Sequence, residues 1–312
     1  MQLRDKSEAG QFIVLAEMEP PKGVDVTDFT ANAIRVKDQV DAFVVPEMNS
    51  AVMRMSSLGA SLILQSKGLP TVMQVNCRDR NRLGLQADLL AAGAIGVQNV
   101  MAVTGEDPSF GDHHQASAVY DIDLIELLKA VRGMTQGKDM AGVDLAGAPS
   151  FYCGSTVNAG VKGKALQLEI DEMKRKIDAG AKFFITPPVF NMSDLSDFME
   201  KAPRAEVKVL PTVLLLKSVG MARYIDRHSD HVSVGDALIK RIMSASDKGR
   251  ECAQIAADTI QAAKNAGLDG VMIATLGWEH MLPQVLNLKP TEAQDVEQDD
   301  PNTSWGKHAG GK

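Results

Sequence analysis

The chain has 312 residues, 45% of them hydrophobic, and a formal net charge of −7. That much apolar mass buries a large core and argues against general disorder, while the scattered basic residues argue against a nucleic-acid surface. The opening MQLRDKSEAGQFIVLAEMEPP carries an apolar run too short for a signal segment or a membrane span, so a soluble, cytoplasmic protein is expected.

In chain order, eight short apolar, β-branched runs read as strands: 12–19, 42–47, 71–76, 95–105, 149–154, 182–188, 207–216 and 270–275. Between them, segments such as GLQADLLAAGA, YDIDLIELLKAVRGM, LQLEIDEMKRKIDAGA and ECAQIAADTIQAAKNAGL repeat Leu, Ile, Met and Ala at helical spacing. Strict alternation through eight units predicts an α/β fold, a (β/α)8 barrel over residues 1–290, with a doubly wound open sheet as the alternative. Ala-Gly turns at Gly93, Gly180 and Gly267 close three of the helices, and glycine there is expected to supply a left-handed cap. Residues 291–312 lose all periodicity and are expected to form a flexible tail. Cys77, Cys153 and Cys252 lie far apart without paired spacing, so they read as small buried residues and no metal site is expected.

In such a barrel the chemistry collects where strands end. Strand one runs into Glu17-Met18-Glu19-Pro20-Pro21, strand two into Pro46-Glu47-Met48-Asn49, and strand three into Asn76-Cys77-Arg78-Asp79-Arg80-Asn81. Strand four ends in Thr104-Gly105-Glu106-Asp107-Pro108, strand five leads into Gly154 through Gly160, and strand six into Thr186-Pro187-Pro188. Two features stand out: the Glu17 carboxylate at the mouth, and a turn in which Gly105 lets backbone approach a ligand. Spacing alone equally allows Glu17 as a salt-bridged rim residue and 104–108 as an ordinary loop. GxGxxG, Walker, HExxH and GxSxG motifs are all missing from the sequence.

The segment CRDRNRLGLQADLLAAGAIGVQNVMAVTGEDP closely resembles a stretch of the methylenetetrahydrofolate reductases, particularly the branch with CRDRN, GLQ and an AVTGDPP-like turn. GDHHQASAVYDIDLIELL, MKRKIDAGAKFFITPPVF and MIATLGWEHMLPQVL resemble later parts of the same family in order, so the likeness covers roughly residues 10–290. The resemblance implies a barrel holding FAD that reduces 5,10-methylenetetrahydrofolate to 5-methyltetrahydrofolate by hydride transfer.

Carried over by position, Glu17 in EMEPP matches the family's general acid, and Glu106 stands where the family has an Asp near flavin and folate. Gln74, Thr104, Gly105, Glu106, Tyr120, Asn158, Lys176, Ala181 and Ile185 match flavin-lining positions; Glu17, Glu106, Thr186 and Pro187 match the folate side. Tyr120 and Lys176 keep the family residue. Pro187 replaces a glutamine that holds the pterin, Gln74 stands where many members carry His, and Thr104 where others carry Arg. The T-P-P form and the ending resemble reductases of acetogenic, Wood–Ljungdahl-type metabolism, some of which take electrons through a partner subunit instead of NAD(P)H. Homo- or hetero-oligomers both remain open. The alternatives are a flavin-independent reductase of the same family and a pterin-binding methyltransferase-type barrel without redox activity.

Overall fold

The computed structural model describes residues 2–291, so all of the expected tail beyond Thr291 lies outside the described residues. Eight parallel strands close into a barrel in sequence order: β1 (Ile13–Glu17), β2 (Ala42–Val45), β3 (Thr71–Asn76), β4 (Asn99–Val103), β5 (Tyr152–Thr156), β6 (Phe183–Pro188), β7 (Lys208–Leu214) and β8 (Gly270–Ala274). Closure comes from β1 pairing with β8, Ile13 opposite Gly270 and Ala16 opposite Ile273. Seven of the eight predicted runs contain their strand, the fifth (149–154) stops two residues short of the end of β5, and the open-sheet alternative falls with the closure. Their near-continuous apolar character follows from burial on both faces, barrel interior and helix layer.

The helices in chain order are α1 (Leu3–Glu8), α2 (Thr27–Val36), α3 (Ser57–Gln65), α4 (Arg82–Ala94), α5 (Leu124–Thr135), α6 (Gly163–Ala179), α7 (Ser196–Lys201), α8 (Val219–His228), α9 (Asp236–Ser244), α10 (Lys248–Asn265) and α11 (Leu282–Asn287). Several of their starts are chemically marked. Asn81 and Asp247 accept from backbone N–H groups in the first turns of α4 and α10, and Asp123 with Glu126 forms a capping box on α5. Each such cap contributes about 1 kcal/mol. Three helices rather than one separate β7 from β8, an elaboration that the alternation did not predict.

Two of the three Ala-Gly turns behave as expected, with Gly180 at φ +126° and Gly267 at φ +66°. The third does not. Gly93 lies inside α4, where a Cβ would fall 2.7 Å from the Pro149 side chain, and the left-handed residue is Gly96 at φ +91°. Glycine at 93 serves close packing; glycine at 96 serves the turn.

Phe43, Phe183, Phe184 and Phe198 are fully buried, and burying each such side chain stabilises by about 1.5–3 kcal/mol. The three cysteines are buried too, and burial pushes the Cys77 and Cys153 thiols up to about 12 and Cys252 to about 11. They are poor nucleophiles there, in keeping with their reading as small apolar residues. Among the described residues no helix is long and apolar enough to cross a membrane.

Candidate active site at the barrel mouth

β1 ends on Glu17, whose side chain enters the barrel mouth and is only 7% exposed. Its carboxylate accepts one side-chain hydrogen bond, from Asn49 Nδ2 at 3.4 Å. Burial pushes its pKa up to about 7 from an ordinary 4.5, reinforced by the charges of Glu19 and Glu279 and opposed by Asn49 and the backbone at Leu276. A shift of that size corresponds to about 3 kcal/mol favouring the protonated form. Glu19, two residues on, is half-buried and pairs with Arg54 Nε at 2.9 Å. Its pKa is raised by burial and held back by Arg54, so Glu19 acts on Glu17 as a neighbouring charge.

The loop after β2 carries Asn49 in an unusual backbone. Met48, Ser50 and Ala51 all have positive φ, 50°, 54° and 54°, a conformation that costs non-glycine residues about 1–3 kcal/mol each. Surrounding contacts must over-determine such a loop. Ala51 packs against Gly111 so closely that a Cβ on the glycine would sit 1.8 Å from the Ala51 carbonyl oxygen.

Across the mouth, β4 ends in Thr104-Gly105-Glu106. Gly105 has φ +87°, and a Cβ there would lie 2.8 Å from the Arg78 side chain, so no other residue fits this turn without displacement. Tyr120 donates from its hydroxyl to the Gly105 carbonyl at 3.1 Å. Gln74 accepts from the Glu47 N–H at 2.8 Å and is thereby fixed in the wall.

Between these elements and the far wall lies a cavity of about 800 Å³, lined by Glu17, Gln74, Glu106, Asn158, Lys176, Ile185, Thr186 and Pro187 with Met101, Thr156, Tyr224 and Met272. A second recess of about 350 Å³, lined by Gln74, Arg78, Thr104, Gly105 and Glu106, shares residues with it. Lys176, on α6, is 6% exposed and donates to the Thr156 carbonyl at 2.9 Å. Among the described residues it has no carboxylate within ion-pair distance, and burial lowers its pKa, partly offset by Glu169 and Glu172. A buried cation held only by a carbonyl, in a cavity of this size, suits an anionic group of a large ligand.

The methylenetetrahydrofolate reductase family model matches residues 2–289. The chain belongs to that family. Methylenetetrahydrofolate reductase 2 of Saccharomyces cerevisiae is 24% identical over 169 residues, covering 52% of this chain and 26% of the yeast protein. The matched region thus spans about a quarter of the length of that relative.

Family membership sharpens the comparison between expected and observed positions. Glu17, Gln74, Glu106, Asn158, Lys176, Ile185, Thr186 and Pro187 converge on the larger cavity, and Thr104 and Gly105 on the recess beside it. Tyr120 lines neither; it stands at the rim and buttresses the Gly105 turn from outside. Ala181 is not brought to the site. It precedes β6 at the barrel's opposite end, about 16 Å of strand below Thr186, and its N–H closes the end of α6 on the Lys176 carbonyl. The reason is the Gly180 turn, which places the following residue at the start of a strand, whereas ligands meet the ends. Pro187 and Pro188 lack N–H groups, and the β6–β7 pairing shifts register between Ile185 and Pro188.

Three residues at the mouth were not singled out from the sequence. Asn49 and Arg78 lie in strand-end segments noted as polar, but nothing in their spacing marked the individual side chains. Glu279 lies beyond β8 in a short helical turn, and its Oε1 is buried without a hydrogen-bond partner. Its only signal is proximity, which the sequence does not display.

Proposed function

We propose that this protein reduces 5,10-methylenetetrahydrofolate to 5-methyltetrahydrofolate with FAD bound at the barrel mouth, Glu17 acting as general acid. The observation that carries the reading is Glu17 itself: a buried carboxyl at a strand end, facing a ligand-sized cavity, with a pKa of about 7. A group poised near neutrality is the kind a general acid requires. Family membership supports the substrate class.

The residues present fit FAD. Lys176 offers a diphosphate a buried charge that has no ion-pair partner among the described residues, and the Gly105 turn offers backbone that a Cβ would obstruct. Bound and reduced by an electron donor, the flavin would supply the hydride. The chain's own groups do the rest. The folate imidazolidine ring opens when the departing nitrogen is protonated, and Glu17 holds that proton inside the mouth. The cation so formed at the one-carbon unit is stabilised by the Glu106 carboxylate, which lines the same cavity. Asn49 favours the Glu17 anion after transfer through its hydrogen bond. The sequence likeness to acetogen-type reductases supports a partner subunit as electron donor, NAD(P)H being the other source.

The test is the visible spectrum of the purified chain, with anaerobic bleaching by dithionite and then addition of methylenetetrahydrofolate. Flavin absorbance that bleaches and returns on adding the folate supports the reading. A protein that neither carries nor takes up FAD overturns the cofactor, and bleached flavin indifferent to the folate overturns the substrate. Rapid bleaching by NADH or NADPH alone removes the need for a partner.

A further inference from the structure

The CRDRN segment that carried the family likeness contributes no residue to the chemistry just described, yet it is among the most heavily bonded polar stretches of the chain. Arg78 is 2% exposed. Its guanidinium is held bidentately by the neighbouring Asp79, Nε to Oδ1 at 2.7 Å and Nη2 to Oδ2 at 2.8 Å. Asp79 is locked in turn by Asn76, which donates to its carboxylate at 2.8 Å and accepts from its N–H at 3.1 Å.

The remaining guanidinium donors point at main chain from two other loops. Nη1 donates to the Glu106 carbonyl at 3.2 Å, and Nη1 and Nη2 both reach the Met48 carbonyl, at 3.5 and 3.4 Å. Asn76 Nδ2 adds a bond to the Glu47 carbonyl at 3.3 Å, and the Arg78 carbonyl accepts from the Val119 N–H at 2.7 Å. Arg80 extends the scaffold by bridging Glu47 and Asp88. The carbonyl that Arg78 grips in the second loop belongs to the residue before Asn49, the first of the three with strained backbone. Asn49 is the side-chain donor to Glu17.

We propose that Arg78 is a positioning residue: its buried guanidinium holds the 48–51 loop in its strained form so that the Asn49 amide meets the Glu17 carboxylate. The catalytic consequence rests on Glu17 being the acid; the positioning does not. A planar fork is needed because one group must satisfy Asp79 and two carbonyls at fixed angles, which a lysine ammonium cannot reproduce. The groups that face Glu17 are Glu19 from its own strand end, Asn49 from the second loop, and Leu276 and Glu279 from the segment after β8. Of these, only Asn49 depends on Arg78.

The experiment is a carbon-13 NMR titration of the purified chain labelled at glutamate carboxyl carbons, with Glu17 assigned by the resonance lost in Glu17→Gln. Asn49→Ala removes a bond that favours the anion, so the Glu17 midpoint is expected to rise by about half a unit. Arg78→Lys, which keeps the charge and loses the fork, is expected to raise it by a similar amount. The double variant is expected to rise no further, because both changes remove one contact. Asp79→Asn, which loosens the guanidinium more gently, is expected to move the midpoint the same way by less, and serves if Arg78→Lys does not fold. An unmoved midpoint in Arg78→Lys or Asp79→Asn, or additive shifts in the double variant, overturns the proposal. Should the midpoints move as expected while Glu17→Gln leaves folate turnover intact, the acid assignment falls and the positioning role stands.

Discussion

The two ends of the barrel are built on opposite electrostatic rules. At the N-terminal end each carboxylate that starts a strand is answered. Asp41 binds Lys6 at 2.6 Å and the Val14 N–H at 2.7 Å, while Asp269 faces Lys208 at 3.4 Å and Arg204 at 3.7 Å and accepts from the Val209 N–H. α1 is pinned there by the Ser7–Tyr152 hydroxyl pair at 2.6 Å and by Arg4 on the Phe151 carbonyl. At the mouth, by contrast, Glu17, Glu19 and Glu279 crowd together, with Arg54 compensating only Glu19. The mouth also holds Met48, Ser50, Ala51 and Leu276 at positive φ. The lower end pairs its carboxylates; the mouth pairs Glu47 and Asp79 as well, but among the described residues it leaves Glu17 and Glu279 without a cation beside strained loops, which is where a reaction can use them.

The comparison is broken most severely at Glu17. Only folate reduction needs a proton on a leaving nitrogen, so in Glu17→Gln reoxidation of reduced flavin by methylenetetrahydrofolate is expected to fall about 100-fold or more. Flavin reduction by dithionite is expected to be unchanged. Stopped-flow measurement of both half-reactions checks this, and equal slowing of both would point instead to misplaced flavin. The same substitution tests the strain. Since the folded carboxyl titrates at about 7 against an ordinary 4.5, folding takes up a proton between those values, and stability falls as pH rises through that window. Glu17→Gln is therefore expected to be more stable than the parent by about 3 kcal/mol above pH 7, with the gain disappearing below about 4.5. Urea unfolding at pH 4.5 and 8 measures both values.

The same contrast explains what could be read from the chain before folding. All eight strands follow from local patterns, and Glu17 and Gly105 at the mouth follow from their places at strand ends, which a barrel makes converge; Lys176, on a helix, follows only from the family likeness at its position. Gly93 and Ala181 depart from expectation for separate reasons. A turn sequence shows that the chain reverses but not which glycine takes the left-handed position, and the family likeness carried Ala181 over by position without showing which end of its strand it occupies. Glu279 and the Arg78 grip on the 48–51 loop were invisible because both arise between segments distant in sequence. Their partners are chosen by the closure of the barrel and carry no spacing of their own.

A smaller effect is expected at Lys176, where the mouth's logic is reversed in sign. Burial lowers its pKa, so holding the ammonium charged costs the empty protein stability that an anionic ligand would return. Lys176→Met is expected to weaken FAD binding by about 10- to 30-fold, the loss of one charge-assisted contact. The FAD-free variant is expected to melt no lower than the parent. Fluorescence titration with FAD and calorimetry of the empty proteins test the two halves, and unaltered affinity would return Lys176 to a structural role.

The smallest effect is expected at the opposite end, and it is the control that gives the comparison its meaning. Asp41 holds the start of β1 to the start of β2, accepting from the Val14 N–H while paired with Lys6 from α1. In Asp41→Asn the amide oxygen still accepts from Val14, but the charge on Lys6 loses its partner. The ion pair is partly exposed, so the expected cost is about 1 kcal/mol, a fall in melting temperature of about 2–3 °C for a chain of this size. Glu17 lies at the other end of its strand, the Lys176 ammonium reaches the Thr156 carbonyl at the mouth end of β5, and neither shares a hydrogen bond with Asp41. Both half-reactions and FAD affinity are therefore expected to match the parent within experimental error. A loss of activity in Asp41→Asn larger than its loss of stability would show that the lower end communicates with the mouth, and the division of labour between the two ends would fail.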